Sequence, residues 1–176
     1  MIRFTFSPLK ATGAVTWMLS RSAQLDLHTI LKAAYFADKH ALNEQGRPVF
    51  GATYRAMNYG PVPLEIYEML KGEPLWLPEI GRDDYPWERQ GHFITRKTDQ
   101  PINLDHLSEM DLAALETGYE RSRGLTFDER TQATHGSDWT KAYPGTMAYE
   151  DMIDPDRPDR VGLLRELERL GPHLVL

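Results

Sequence analysis

The chain has 176 residues, the size of one ordinary domain, and at 41% hydrophobic and 26% charged it can close a core and is not a disordered sequence. A net charge of −6 disfavours non-specific nucleic-acid binding, which wants a basic surface, and no basic stripe or helix-turn-helix pattern offsets it. Without cysteine there are no disulfides, thiolate nucleophiles or thiolate metal sites, which fits a reducing cytoplasm; neither a signal peptide nor about 18 consecutive apolar residues occurs.

Residues 2–6 alternate apolar and polar, which suits a short strand. A first helix is expected from Leu9 to Met18, on Leu9, Val15, Met18 and Leu19, with Ser7 as N-cap and Pro8 in the first turn. The strongest periodicity runs from Leu25 to Asn43. Leu27, Ile30, Leu31, Ala34, Ala41 and Leu42 form one stripe, and Ala33, Phe36 and Ala37 widen it. So wide an apolar arc predicts a central helix, with His28, Lys32, Lys39 and Asn43 as its solvent strip. Asp26 serves its N-terminus and Gly46 stops it.

Gly46, Pro48, Gly51, Gly60, Pro61 and Pro63 then crowd one stretch. Arg47, Gly60 and Val62 each precede a proline and are pushed toward extended backbone. A second helix is expected from Pro63 to Gly72, with Ile66, Tyr67, Met69 and Leu70 inward. From Pro74 to Pro101 the pieces are short. Tyr85–Glu88 and His92–Arg96 predict a hairpin around Arg89-Gln90-Gly91.

Helix resumes at Leu107, with Ser108 and Asp111 as a capping box, and continues through Leu112, Leu115 and Tyr119 to Gly124. Thr126 and Glu129 open a short helix, and a segment near Trp139 follows. An amphipathic stretch from Val161 to Leu170 carries Leu163, Leu164, Leu167 and Leu170. The expected fold class is mainly α with a minor β element: a helical domain over residues 1–155, built around the central helix. A helical tail, 156–176, packs on that domain or on a partner, a second copy included.

Three runs carry a family resemblance: Ile30 to Leu42, with its Tyr35-Phe36-Ala37-Asp38; Gly46-Arg47-Pro48; and Tyr54 to Pro63, closing on Tyr59-Gly60-Pro61-Val62-Pro63. Leu107 to Asp111, Thr134 to Trp139 and Met147 to Met152 follow in the same order. Together they resemble the Panacea (SocA-like) antitoxin domain over roughly residues 8–153. Leu64 departs from it, standing where a small capping residue is expected, and its loss would cost about 1 kcal/mol. The resemblance implies an antitoxin that binds a cognate toxin protein, or an adaptor that hands the toxin to a ClpXP-type protease. It supplies no catalytic residues and no cofactor.

Asp38 lies near the apolar stripe, so its carboxylate needs a partner, and Arg47, Arg55 or the Tyr59 hydroxyl are nearest in sequence. With Tyr35, Pro48, Gly60, Pro61 and Pro63 these residues read as a structural signature. Aromatic and Met side chains carry binding energy at interfaces, which makes Tyr54, Met57, Tyr59, Trp76 and Trp87 the contact candidates. The same aromatics also suit a local mini-core, Trp87 with Tyr85 above all. Six histidines show no metal-ligand spacing. Two rival readings remain: a hydrolase-like enzyme using Asp38, His40 or His135, and a phage-derived inhibitor of a host protein.

Overall fold

The computed structural model describes residues 1–176 and opens on an unpaired segment, where the alternation of residues 2–6 predicts a strand. Ile2 is buried and Phe4 and Phe6 are half-buried, so the alternation is real. No strand lies alongside to complete a ladder. The Ile2 N–H instead donates to the Glu150 carboxylate (3.0 Å) and the Ser7 N–H to the Phe50 carbonyl (2.9 Å). Helix α1 (Pro8–Ser20) follows, with proline in its first turn.

Strand β1 (Leu25–Asp26) leads directly into α2 (Leu27–Gln45), so this helix starts two residues later than its apolar period suggests. The Asp26 carboxylate caps it, accepting from the Thr29 N–H (2.9 Å) and hydroxyl (2.6 Å). The expected solvent strip needs one correction: His28, Lys39 and Asn43 are partly exposed, but Lys32 is 1% exposed. The cause is tertiary, because a hairpin and a later helix both lie across that side of α2.

The hairpin is the second correction. The Gly/Pro-rich stretch folds into β2 (Tyr54–Met57) and β3 (Gly60–Pro63), antiparallel, with Tyr54 opposite Pro63 and Met57 opposite Gly60. Pro61 and Pro63 sit two apart, so their missing N–H groups fall on the edge away from β2, while Gly60 and Val62 carry the ladder. The far edge of β2 is covered in turn: the Ala56 N–H donates to the Gly145 carbonyl and the Met147 N–H to that of Tyr54, both at 2.9 Å.

Helix α3 (Leu64–Lys71) has Pro63 at its N-cap and no side-chain cap. Its entrance is tied by other means. The Leu64 N–H donates to the Thr53 carbonyl (2.9 Å), and the Glu65 carboxylate accepts from the Thr53 N–H (2.7 Å). A 3-10 turn at Pro74–Trp76 leads into α4 (Leu77–Ile80). Strands β4 (Trp87–Gln90) and β5 (Phe93–Arg96) then form a second hairpin, and β5 also pairs with β1. Its turn is Gly91-His92, not Arg89-Gln90-Gly91, because a two-residue loop sets Gln90 opposite Phe93.

Both expected capping boxes form. Ser108 and Asp111 open α5 (Glu109–Arg123), and Thr126 and Glu129 open α6 (Phe127–Thr134). Short helices α7 (Ser137–Ala142) and α8 (Tyr149–Met152) precede α9 (Arg160–Leu170). The long helices α2 and α5 pack so closely that a Cβ on Gly118 would lie 2.4 Å from the Ala33 carbonyl oxygen. One cluster of 41 buried apolar residues forms the core, and Leu163 and Leu167 of α9 belong to it. Arg157 fastens the start of the tail to the carbonyls of Leu42 and Asn43 at the end of α2. No helix is long and apolar enough to cross a membrane.

A clamped turn with aromatic wings as the candidate binding surface

The β2–β3 hairpin turns at Asn58-Tyr59, and helix side chains grip it at three carbonyls. Trp139 Nε1–H donates to the Met57 carbonyl (2.9 Å). His28 Nε2–H donates to that of Tyr59 (3.1 Å), and Lys32 Nζ to that of Pro61 (2.7 Å). The His28 tautomer follows from its other nitrogen: Nδ1 accepts from Arg130 Nε (3.1 Å), which leaves the proton on Nε2. Arg130 is held by the carbonyls of Ser122 (3.0 Å) and Leu125 (2.7 Å).

Gly60 is where the hairpin meets the helices. Its φ is +95°, and a Cβ there would stand 2.3 Å from Thr134 Oγ1 and 3.0 Å from Lys32 Cε. Burial pushes the His28 imidazole down to about 4, with the charges of Lys32 and Arg130 adding to it and the Tyr59 carbonyl opposing. Burial likewise brings the Lys32 ammonium down to about 7, with Arg130 beside it.

Aromatic rings flank the turn on both sides. On one, Tyr59 meets Phe127 edge-on at 5.2 Å, and Phe127 lies over His28 at 4.2 Å. On the other, His135 stacks on Trp139 at 3.7 Å and Trp139 meets Tyr143 at 4.7 Å, while the Tyr143 hydroxyl donates to Asn58 Oδ1 (2.8 Å). Tyr59 is 61% exposed, Tyr143 45% and Phe127 43%. Apolar rings left in water on a rigid mount are unusual outside binding surfaces.

The five contact candidates separate sharply. Tyr59 is at the apex of the turn and Met57 is half-buried at its base. Trp76 lies on another face, donating to the Glu68 carboxylate (3.0 Å) and packing edge-on against Phe6. Tyr54 and Trp87 are 1% and 4% exposed, so no partner reaches their rings in this fold. Trp87 stacks on Tyr85 at 5.1 Å and donates to the Met69 carbonyl. Phe127, Tyr143 and Trp139 are not among the contact candidates that the sequence offers. Their signal was faint: His135, Trp139 and Tyr143 recur at four-residue steps, which aligns them on one side of a helix.

Asp38 is fully buried, and none of its expected partners holds it. The carboxylate accepts from the N–H groups of Val49 (2.7 Å) and Phe50 (2.9 Å) and from the Tyr54 hydroxyl (3.0 Å). Burial raises it to about 7 against those three bonds. Arg47 instead pairs with the buried Asp111 (2.9 Å), which also takes Lys10 (2.7 Å). Arg55 is exposed on β2 and Tyr59 points to solvent. The Tyr35 hydroxyl donates to the buried Asp138 (2.5 Å), which also holds Lys39 (2.9 Å). Pro48, Gly60, Pro61 and Pro63 are all buried, in the link after α2 and in β3.

Neither His40 nor His135 hydrogen-bonds Asp38, so the three residues of the hydrolytic reading are not assembled into one site. No group of three or more His, Asp or Glu side chains is placed to hold a metal ion. A cavity of about 290 Å³ lies between the N-terminal segment and the start of β2, away from the turn.

A helical scaffold that holds a turn rigid and sets exposed rings around it defines a module that presents a surface. The family described as Antitoxin SocA-like, Panacea domain, matches residues 30–140, more than half of the chain, and the protein belongs to that family. No curated protein and no solved structure matches it.

Proposed function

We propose that this protein is a cytoplasmic antitoxin that neutralises a cognate protein toxin by stoichiometric contact, through the clamped turn and its aromatic wings. The observation that carries the reading is the exposure of Tyr59, Phe127 and Tyr143 around a turn fixed at three carbonyls, in a chain of an antitoxin family. A rigid turn loses little entropy on docking, and aromatic anchors supply much of the energy of an interface of at least about 1,000 Å².

The test is co-expression with the product of the neighbouring gene, read by growth rescue, pull-down and light scattering. Tyr59→Ala with Phe127→Ala should weaken binding more than tenfold, about 1.4 kcal/mol or more, and leave the melting transition intact. Full protection by that folded double variant would remove the turn as the contact surface. Titration against the toxin separates occlusion from delivery to a ClpXP-type protease. Occlusion needs one antitoxin per toxin, whereas delivery works below that ratio and only in cells that carry the protease.

A further inference from the structure

The cavity beside the N-terminal segment has an open mouth and a buried floor. Arg3, Thr53 and Thr146 on its rim are exposed, whereas Ile2, Tyr54, Met147 and Tyr149 beneath them are buried. The Tyr54 hydroxyl donates to Asp38 (3.0 Å) and the Tyr149 hydroxyl to the Ala52 carbonyl (2.7 Å), so neither tyrosine brings a free hydroxyl to it. Two backbone donors are left over. The N–H groups of Gly51 and Ala52, which line the cavity, reach no acceptor in the protein, although both residues are buried. Their neighbours on either side are bonded, Val49 and Phe50 to Asp38 and Thr53 to Glu65. Buried amides without an acceptor are rare, and such a pair beside a cavity marks a place for an oxygen.

The charge around the mouth says which oxygen. Arg3 makes no hydrogen bond or ion pair through its guanidinium, and no Asp or Glu lines the cavity, in a molecule of net charge −6. The flanking carboxylates are engaged, Glu150 by the Ile2 N–H (3.0 Å) and Glu65 by the Thr53 N–H (2.7 Å). We propose that this cavity binds a small apolar carboxylate. Its oxygens accept from the Gly51 and Ala52 N–H groups, its charge faces Arg3, and its hydrocarbon body lies against Ile2 and Met147. At about 30 Å³ for each water-sized group, the volume suits a molecule of roughly ten non-hydrogen atoms. That chemistry is shared by a free branched-chain acid and by the C-terminal residue of a polypeptide. The site is independent of the toxin-binding reading, because it lies away from the turn and takes its ligand without a second protein.

The experiment follows amide resonances of the full-length protein by proton–nitrogen correlation spectra during titration with four probes. These are isocaproate, its neutral amide, and a tripeptide ending in leucine with either a free or an amidated terminus. Isocaproate should move the Gly51 and Ala52 amides in a saturable way, and the neutral amide should bind about tenfold more weakly. Arg3→Gln changes an exposed side chain that bonds to nothing, so its melting temperature should equal that of the wild type. Its affinity for isocaproate should fall about tenfold. Tighter binding of the free-ended tripeptide than of isocaproate assigns the site to the end of a chain, and the reverse order assigns it to a free acid. The proposal is overturned if the Gly51 and Ala52 amides stay unmoved throughout every titration, if acid and amide bind alike, or if Arg3→Gln binds as the wild type does.

Discussion

At the scale of single residues, Asp38 shows how a buried carboxylate can be held without a basic partner. Two backbone N–H groups and the Tyr54 hydroxyl surround it, and its ordinary value near 3.8 is raised to about 7. A group with a raised folded value binds its proton more tightly in the folded state. Its contribution to stability is complete below about 4 and is lost as pH rises through about 7. Asp38→Asn keeps an oxygen for the amides and offers the Tyr54 oxygen an N–H. Denaturant unfolding should therefore find this variant at least as stable as wild type at pH 8, with the acid-to-neutral loss flattened. Asp38→Ala leaves two buried N–H groups unpaired, at about 1–3 kcal/mol each. A pH slope unchanged in Asp38→Asn would assign the slope to other groups. That Asp38 is buried and needs partners was legible in its place on the helix. Which partners was not, because backbone amides carry no signature in the sequence, and the eye goes to Arg47 and Arg55.

At the scale of elements, helices were more legible than strands, for reasons that can be named. The capping pairs Ser108–Asp111 and Thr126–Glu129 lie within four residues of each other, so local sequence contains the whole interaction. The β2–β3 hairpin was hidden by its own prolines, which argue against a strand until their N–H-free edge is known to face away from the partner. The burial of Lys32 is not legible in the sequence because helical period describes one helix, and its cover comes from two other elements. The clamp on this hairpin is open to direct test. Trp139→Phe keeps the ring beside His135 and removes the N–H given to the Met57 carbonyl. Stability should fall by about 1 kcal/mol. Amides of residues 57–60 should exchange faster with solvent while those of α2 stay slow. Unchanged exchange at the turn would mean that this bond does not hold it.

At the scale of the whole molecule, the pairing of α2 with α5 organises everything else, and its closeness depends on Gly118. A methyl group there meets the Ala33 carbonyl oxygen at 2.4 Å and the Ala37 nitrogen at 2.7 Å, both backbone atoms that cannot rotate away. Gly118→Ala should therefore destabilise by about 1–3 kcal/mol, although alanine favours an isolated helix, and calorimetry would show a lower melting temperature. A rise would show that the two helices part without cost. The family was legible here because its motifs sit on α2 and on the hairpin packed across it, inside the matched residues 30–140. The path of the tail was not. Residues 156–176 reach the core through Leu163 and Leu167 and through Arg157 on the end of α2, contacts between parts of the chain more than a hundred residues apart.

The three grips on the turn also bear on time. A recognition loop that must first find its shape slows every encounter, whereas one already fixed lets arrival be limited by diffusion and orientation, on the order of 10⁵–10⁷ M⁻¹ s⁻¹. Partners of different fit would then reach this surface at similar speeds and differ in how long they remain. Under the antitoxin role proposed above, residence is the quantity on which selection among partners would act.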